Sequence, residues 1–229
     1  MNNNEINKNM DNKMQSEQIL EAPKKKPDEQ GGIYLQGHIK IFDPETKEVF
    51  VDKRNAIHYE NMSEAIAYSV ANKGTNFITE MHFGNGGTTV DPTGVITYLP
   101  TNTNTQNADL YSPQYYKIVD DTSAANNDPL RNKISITHIP GQVYSDILVS
   151  CLLDYGEPAG QAVFDNSQDI NNQFVFDELG LKGFDIAGEG QGKLLTHVIF
   201  SPVQKSLNRL IQIDYTVRIQ TLTNLSNIA

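Results

Sequence analysis

Residues 210–220 read Leu-Ile-Gln-Ile-Asp-Tyr-Thr-Val-Arg-Ile-Gln. Ile211, Ile213, Tyr215, Val217 and Ile219 alternate with Gln212, Asp214, Thr216, Arg218 and Gln220. A strand sends successive side chains to opposite faces, so this run is a long β-strand with one buried and one wet face. Such a strand needs neighbours on its edges and a layer against its apolar face, which commits the chain to a sheet-based core. Shorter strand-like stretches recur between turn residues, at 33–42, 48–52, 76–83, 95–99, 133–139, 143–153, 173–181, 183–187 and 193–200. The expected fold is mainly β, a β-sandwich or jelly-roll-like domain.

Several local details follow. Asp43-Pro-Glu-Thr-Lys47 suits a type I turn joining the first two strands. Ile134 and Ile136 are expected to point inward, and 143–153 is apolar enough for a fully covered strand. Ser201-Pro202 is expected to end the strand before it. Residues 100–130 read as a long, partly irregular excursion with a short turn of structure near Tyr111–Lys117. One short helix is expected over about 62–73. Asn61 would cap it, Glu64 would complete a capping box, and Met62, Ile66 and Val70 would form its apolar stripe. Lys73 and Gly74 suit its C-terminal end.

Residues 1–30 differ from the rest. Apolar residues such as Ile6, Ile19 and Leu20 are scattered among Asn, Lys, Gln and Glu, too thinly to offset the entropy of ordering. The expectation is a flexible or extended N-terminal arm over 1–30, then one β-rich domain over 31–229. An arm could order on a neighbouring subunit, and thirty extended residues reach roughly 100 Å. Lys24, Lys25 and Lys26 form its one basic cluster; flanking acidic residues favour a solvated run or an interface over a nucleic-acid patch.

The net charge of −10 argues against nonspecific nucleic-acid binding and against anionic membrane surfaces. No run of about 18 apolar residues offers a membrane span, and the start lacks a secretory pattern. Cys151, the only cysteine, sits in an apolar run and reads as a buried small residue.

No catalytic signature emerges. Gly84-Asn85-Gly86-Gly87 lacks the Gly-Lys-Ser/Thr of a phosphate loop and reads as a turn needing positive φ. Gly188–Gly192 reads as a surface loop. The five histidines, His38, His58, His82, His138 and His197, are isolated along the chain and read as hydrogen-bonded structural residues. Asp165–Asp169 lacks the central glycine and terminal glutamate of a calcium loop. No cofactor or metal is expected. Tyr111, Tyr115 and Tyr116 cluster in the polar excursion and could serve an interface or stack against sugar, or simply pack the loop down.

Asn55-Ala-Ile, a short helix ending near Gly74, and Phe77-Ile-Thr-Glu-Met-His-Phe-Gly-Asn-Gly-Gly-Thr88 together resemble a pattern of tailed-bacteriophage virion proteins of the collar, neck, tail and fibre-attachment kind. His197–Lys205 and the strand after it resemble the closing strands of such proteins. The Asn- and Lys-rich start is similar to products of AT-rich phage genomes such as those of crAss-like podoviruses. The resemblance covers about a third of the chain. It implies a non-enzymatic structural subunit of the virion, assembled in the host cytoplasm, homo-oligomeric and packed against other virion structural proteins. It implies no membrane and no sequence-specific nucleic-acid partner. Ring, collar, head-tail connector, decoration and fibre adaptor all remain open. The interface residues then expected are Lys24, Lys25, Lys26, Gly84, Asn85, Gly86, Gly87, Tyr111, Tyr115 and Tyr116. A carbohydrate- or receptor-binding β-sandwich is the second expectation, with the tyrosines as platform. An enzyme of unrecognised type is the third.

Overall fold

A computed structural model describes residues 31–158 and 173–223. The chain divides into two compact units. One is Ile33–Thr221; the other comprises residues 1–32 and 222–229, nearly all of them outside the described residues. The expected arm therefore lies outside the described residues.

The larger unit is mainly β, as the alternation predicts. Its strands are β1 (Gly31–Phe42), β2 (Val49–Ile57), β3 (Ile78–Gly84), β4 (Thr88–Val90), β5 (Ile96–Tyr98), β6 (Pro113–Ile118), β7 (Lys133–His138), β8 (Tyr144–Leu153), β9 (Gln173–Gly183), β10 (Thr196–Ser206) and β11 (Ile211–Thr223). The single helix among the described residues is α1 (Tyr59–Val70). Nine strands form one antiparallel sheet in the order β6-β3-β9-β10-β2-β1-β11-β8-β7, and β4 and β5 form a separate two-stranded ribbon.

The large sheet curls into a sandwich-like body. Lys117 on β6, one edge, reaches across to Leu152 O on β8, next to the other edge, at 2.8 Å. The concave face carries the core: Ile39 and Ile41 from β1, Met81 and Phe83 from β3, Phe174 and Phe176 from β9, and Ile211, Ile213, Tyr215 and Val217 from β11. The apolar face of the alternating run, Ile211 to Val217, is thus buried in that core. Cys151 is buried in the same core, and burial pushes its thiol pKa up to about 12.

Local structure departs from expectation at several places. His58, not Asn61, caps α1: its Nδ1 accepts from Asn61 N at 3.2 Å while its Nε2 meets Thr105 O at 2.7 Å. Asn61 is buried in the first turn and donates to Gln106 O and Leu194 O, while Glu64 pairs with Lys193 at 2.6 Å. The helix ends at Val70 with Ala71 as C-cap, before Lys73 and Gly74. The strand at 193–200 does not stop at Pro202. β10 runs through it with a register shift against β9 between Ile199 and Val203, a bulge that tolerates the missing amide. The stretch at 113–118 is a full edge strand, whereas 184–187 is not a strand. Finally, β8 is covered only in its second half, and Ile136 on β7 is 74% exposed.

Candidate functional site

The glycine segment is held by a dense set of hydrogen bonds. Along β9 the core positions are Phe174 and Phe176, then Leu179 and Leu181, so alternation slips by one opposite the β10 irregularity. Two successive carboxylates, Asp177 and Glu178, are left facing residues 86–88. Asp177 accepts from Gly87 N and Thr88 N, both at 2.9 Å, and from the Thr88 hydroxyl. Glu178 accepts from Gly86 N at 3.1 Å, Ser112 N at 2.7 Å, Tyr111 N at 2.9 Å and His197 Nε2 at 3.0 Å. Four donors fill the roughly four lone-pair positions of a carboxylate. Burial alone would raise the Glu178 pKa, but the His197 and amide hydrogen bonds hold it below the usual carboxylate value.

His197 is equally occupied. Its Nδ1 accepts from Asn102 N at 2.8 Å while Nε2 donates to Glu178, so a neutral imidazole satisfies both contacts and neither ring nitrogen is left for proton transfer. His82 donates to Glu80 at 2.6 Å, and burial lowers its pKa. Lys182 joins Asp109 at 2.8 Å and Gly190 O. These groups lie as a polar layer on the face of β3, β9 and β10 turned from the core, met by Asn102, Asp109, Tyr111 and Ser112 at one part and by Tyr116 and Gly190 at the other.

The Gly86 and Gly87 amides are therefore turned onto the chain's own carboxylates, and the Asn85 amide onto Ser112 O. Positive φ is not what the glycines supply, because none of Gly84, Gly86 and Gly87 adopts it. They allow close approach. A Cβ on Gly84 would lie 2.7 Å from Ser112 O, and one on Gly87 would lie 2.9 Å from Ile199 Cγ2. Of the expected interface residues here, only Asn85 is exposed.

The tyrosines separate. Tyr111 donates to Pro100 O and lies beside His197, ring centres 5.8 Å apart. Tyr115 packs toward the core against Phe83 at 5.9 Å. Tyr116, its neighbour on β6, stacks on His82 at 5.3 Å and donates to Glu189, which lifts its pKa to about 12. Adjacent strand residues face opposite ways, so the three do not share one platform. Tyr115 and Tyr116 do border a polar cleft of about 410 Å³ with Asp128, Arg131 and Asp154. Arg131 bridges Asp128 and Asp154 there. Lys24, Lys25 and Lys26, and the acidic stretch 165–169, lie outside the described residues.

A second concavity, about 500 Å³, lies away from all the expected interface residues that the structure describes. It is apolar and lies between α1 and β7, lined by Val70, Phe77, Ile134, Ile136, Ile147 and Ile219 among others, with Asp120 and Asp121 at its rim. The sequence held its signal in two stripes. Met62, Ile66 and Val70 share one helix face, yet exposure climbs from 5% at Met62 to 84% at Val70. Across the sheet, Val217 pairs with Ile147 and Ile147 with Ile136, and exposure climbs from 1% at Val217 to 74% at Ile136. Both stripes begin in the core and run out at the same groove.

No group of three or more metal-ligating side chains occurs among the described residues. No helix there is long and apolar enough to cross a membrane. Compared with known proteins, the chain matches no protein family, no curated protein and no solved structure.

Proposed function

We propose that this chain is a non-enzymatic structural subunit of a tailed-bacteriophage virion that works by packing against further subunits. The observation that carries the assembly part is the apolar groove beside β7. A contiguous apolar surface continuous with the core is what an interface looks like before its partner arrives. The virion part rests on the resemblance of residues 55–88 and 197–219 to phage collar and tail proteins. The polar layer supports the same reading, since the carboxylates and imidazole that could do chemistry are spent on holding backbone. Sedimentation velocity on the full chain and on a chain lacking residues 1–30 tests it. The full chain is expected to sediment as a discrete oligomer, and the shortened one to keep its circular-dichroism melt while sedimenting more slowly. An unchanged oligomer would remove the arm from the account.

A carbohydrate- or receptor-binding module is the second reading. It is favoured by the cleft that combines Tyr116 with Arg131, Asp128 and Asp154, aromatic and planar polar groups of the kind that grip sugars. A glycan array on the full chain, repeated with Tyr116→Ala, tests it; no bound glycan rejects it.

A further inference from the structure

The edge of β7 has more to offer than apolar side chains. β7 is the last strand of the nine, with no described strand beyond it. In an antiparallel pair, backbone groups point alternately toward the partner and away from it. Ile134 N donates away from β8, to Asp121 Oδ1 at 3.2 Å. The amides and carbonyls of Ile136 and His138, at the same parity, therefore also face the open side. Natural edge strands are usually guarded by proline, inward charge or a bulge. β7 has none of these beyond its first residue, and among the described residues only the Ile134 amide is covered, by Asp121.

An unpaired edge beside an apolar groove is the arrangement that accepts an added β-strand: backbone hydrogen bonds hold the strand and alternate side chains fill the groove. We infer that β7 receives, as an added strand, the segment around residues 18–22 from the N-terminal stretch of a second copy of this chain. This rests on the assembly reading above and names its contact. Two observations single out the occupant. The chain carries thirty residues ahead of β1, enough to span roughly 100 Å when extended. Within them, Ile19-Leu20-Glu21-Ala22 is the densest apolar stretch and is followed at once by Lys24-Lys25-Lys26. The groove is apolar and its rim is acidic, with Asp120 and Asp121 side by side. Leu20 and Ala22, two apart, would face the groove together, and the lysines would follow to the acidic rim. A head-to-tail contact of this kind joins two different surfaces, so it closes into a ring or propagates according to the rotation between copies.

Cross-linking on full chains tests the contact. Cys151 is fully buried with a raised pKa, so it stays silent toward maleimides and introduced cysteines report alone. Leu20→Cys and Ile136→Cys are made in separate chains and mixed with a short bismaleimide. Ile136 is exposed, so its replacement leaves the fold intact. The expected result is a heterodimer that neither variant gives alone, and that is absent when Val95→Cys, on the exposed ribbon, replaces Ile136→Cys. Light scattering on the same samples separates the failures. An oligomer with no heterodimer overturns this contact and leaves the assembly reading standing. A monomer with no heterodimer overturns both. Equal cross-linking to Val95→Cys overturns the contact as nonspecific. A double variant that cross-links within one chain, while the mixture gives nothing, assigns the groove to the chain's own segment and overturns the second copy.

Discussion

The glycine segment at 84–87 and the groove beside β7 belong to the same body and have opposite chemistry. At the glycine segment every amide from Gly86 to Thr88 already has a carboxylate, and the glycines are there because backbone and side chains come too close for a Cβ. At the groove the apolar stripes of α1 and of the sheet continue past the point where anything described covers them. The first region has fulfilled its bonding within the chain. The second has not. A loop rich in glycine is thus a poor guide to a contact surface here, and an interrupted apolar stripe is a better one.

The largest expected effect comes from breaking the closed region. Glu178→Ala strips four donors of their acceptor, including the buried His197, and should cost about 3–5 kcal/mol in urea unfolding. A loss under about 1 kcal/mol would mean water replaces the carboxylate, and the region would not be closed. Gly84→Ala should cost about 1–3 kcal/mol, because the added methyl meets the Ser112 carbonyl and the Glu178 side chain. Neither change should alter how subunits meet, except through the fraction folded.

Acid should loosen the same layer. The His82 pKa lies below its ordinary 6.5 because the ring is buried. Below about pH 6.5 the unfolded chain therefore binds the proton more readily, and stability falls as pH drops. Glu178 is also lowered, so its contribution is complete above its ordinary 4.5 and is lost as pH drops through the folded value. Melting temperature should decline from pH 7 downward in two stages. His82→Gln should flatten the upper stage, and Glu178→Gln should reduce the lower one, to which Glu64 and Asp146, also lowered by their Lys193 and Arg218 partners, contribute as well.

How legible was this in the sequence? β11 was plain, because strict alternation from Ile211 to Gln220 has one physical reading, and Ile211, Ile213, Tyr215 and Val217 are all buried. The glycine lock was not, because its partners lie about ninety residues apart and meet only after β9 has paired with β3 and β10. One trace was present: Asp177-Glu178 interrupts Phe174-Val-Phe and Leu179-Gly-Leu, and charges inside a core strand must find partners. The helix cap was misplaced because His58 uses a ring nitrogen for the role that an Asn side chain usually fills. Pro202 suggested an end and marks a bulge. Ile134 and Ile136 do lie on the core-facing side of β7, but periodicity reports a side chain's face and not whether anything covers it.

The smallest expected effect on folding belongs to the open region. Val70→Ser and Ile136→Ser replace exposed side chains, so unfolding should shift by no more than about 0.5 kcal/mol either way. Association is where they should be felt. A substantial loss of stability from either would show that the groove is packed within the chain's own fold.

The most direct measurement is the light-scattering mass of the full chain beside Ile136→Asp, which puts a charge on the open edge of β7. The account predicts a discrete multiple of 25.5 kDa for the unaltered chain, and a return toward 25.5 kDa for the variant with its melting temperature unchanged. The same multiple in both would contradict it: subunits would be meeting elsewhere, and the uncovered stripe of Val217, Ile147 and Ile136 would not be the interface.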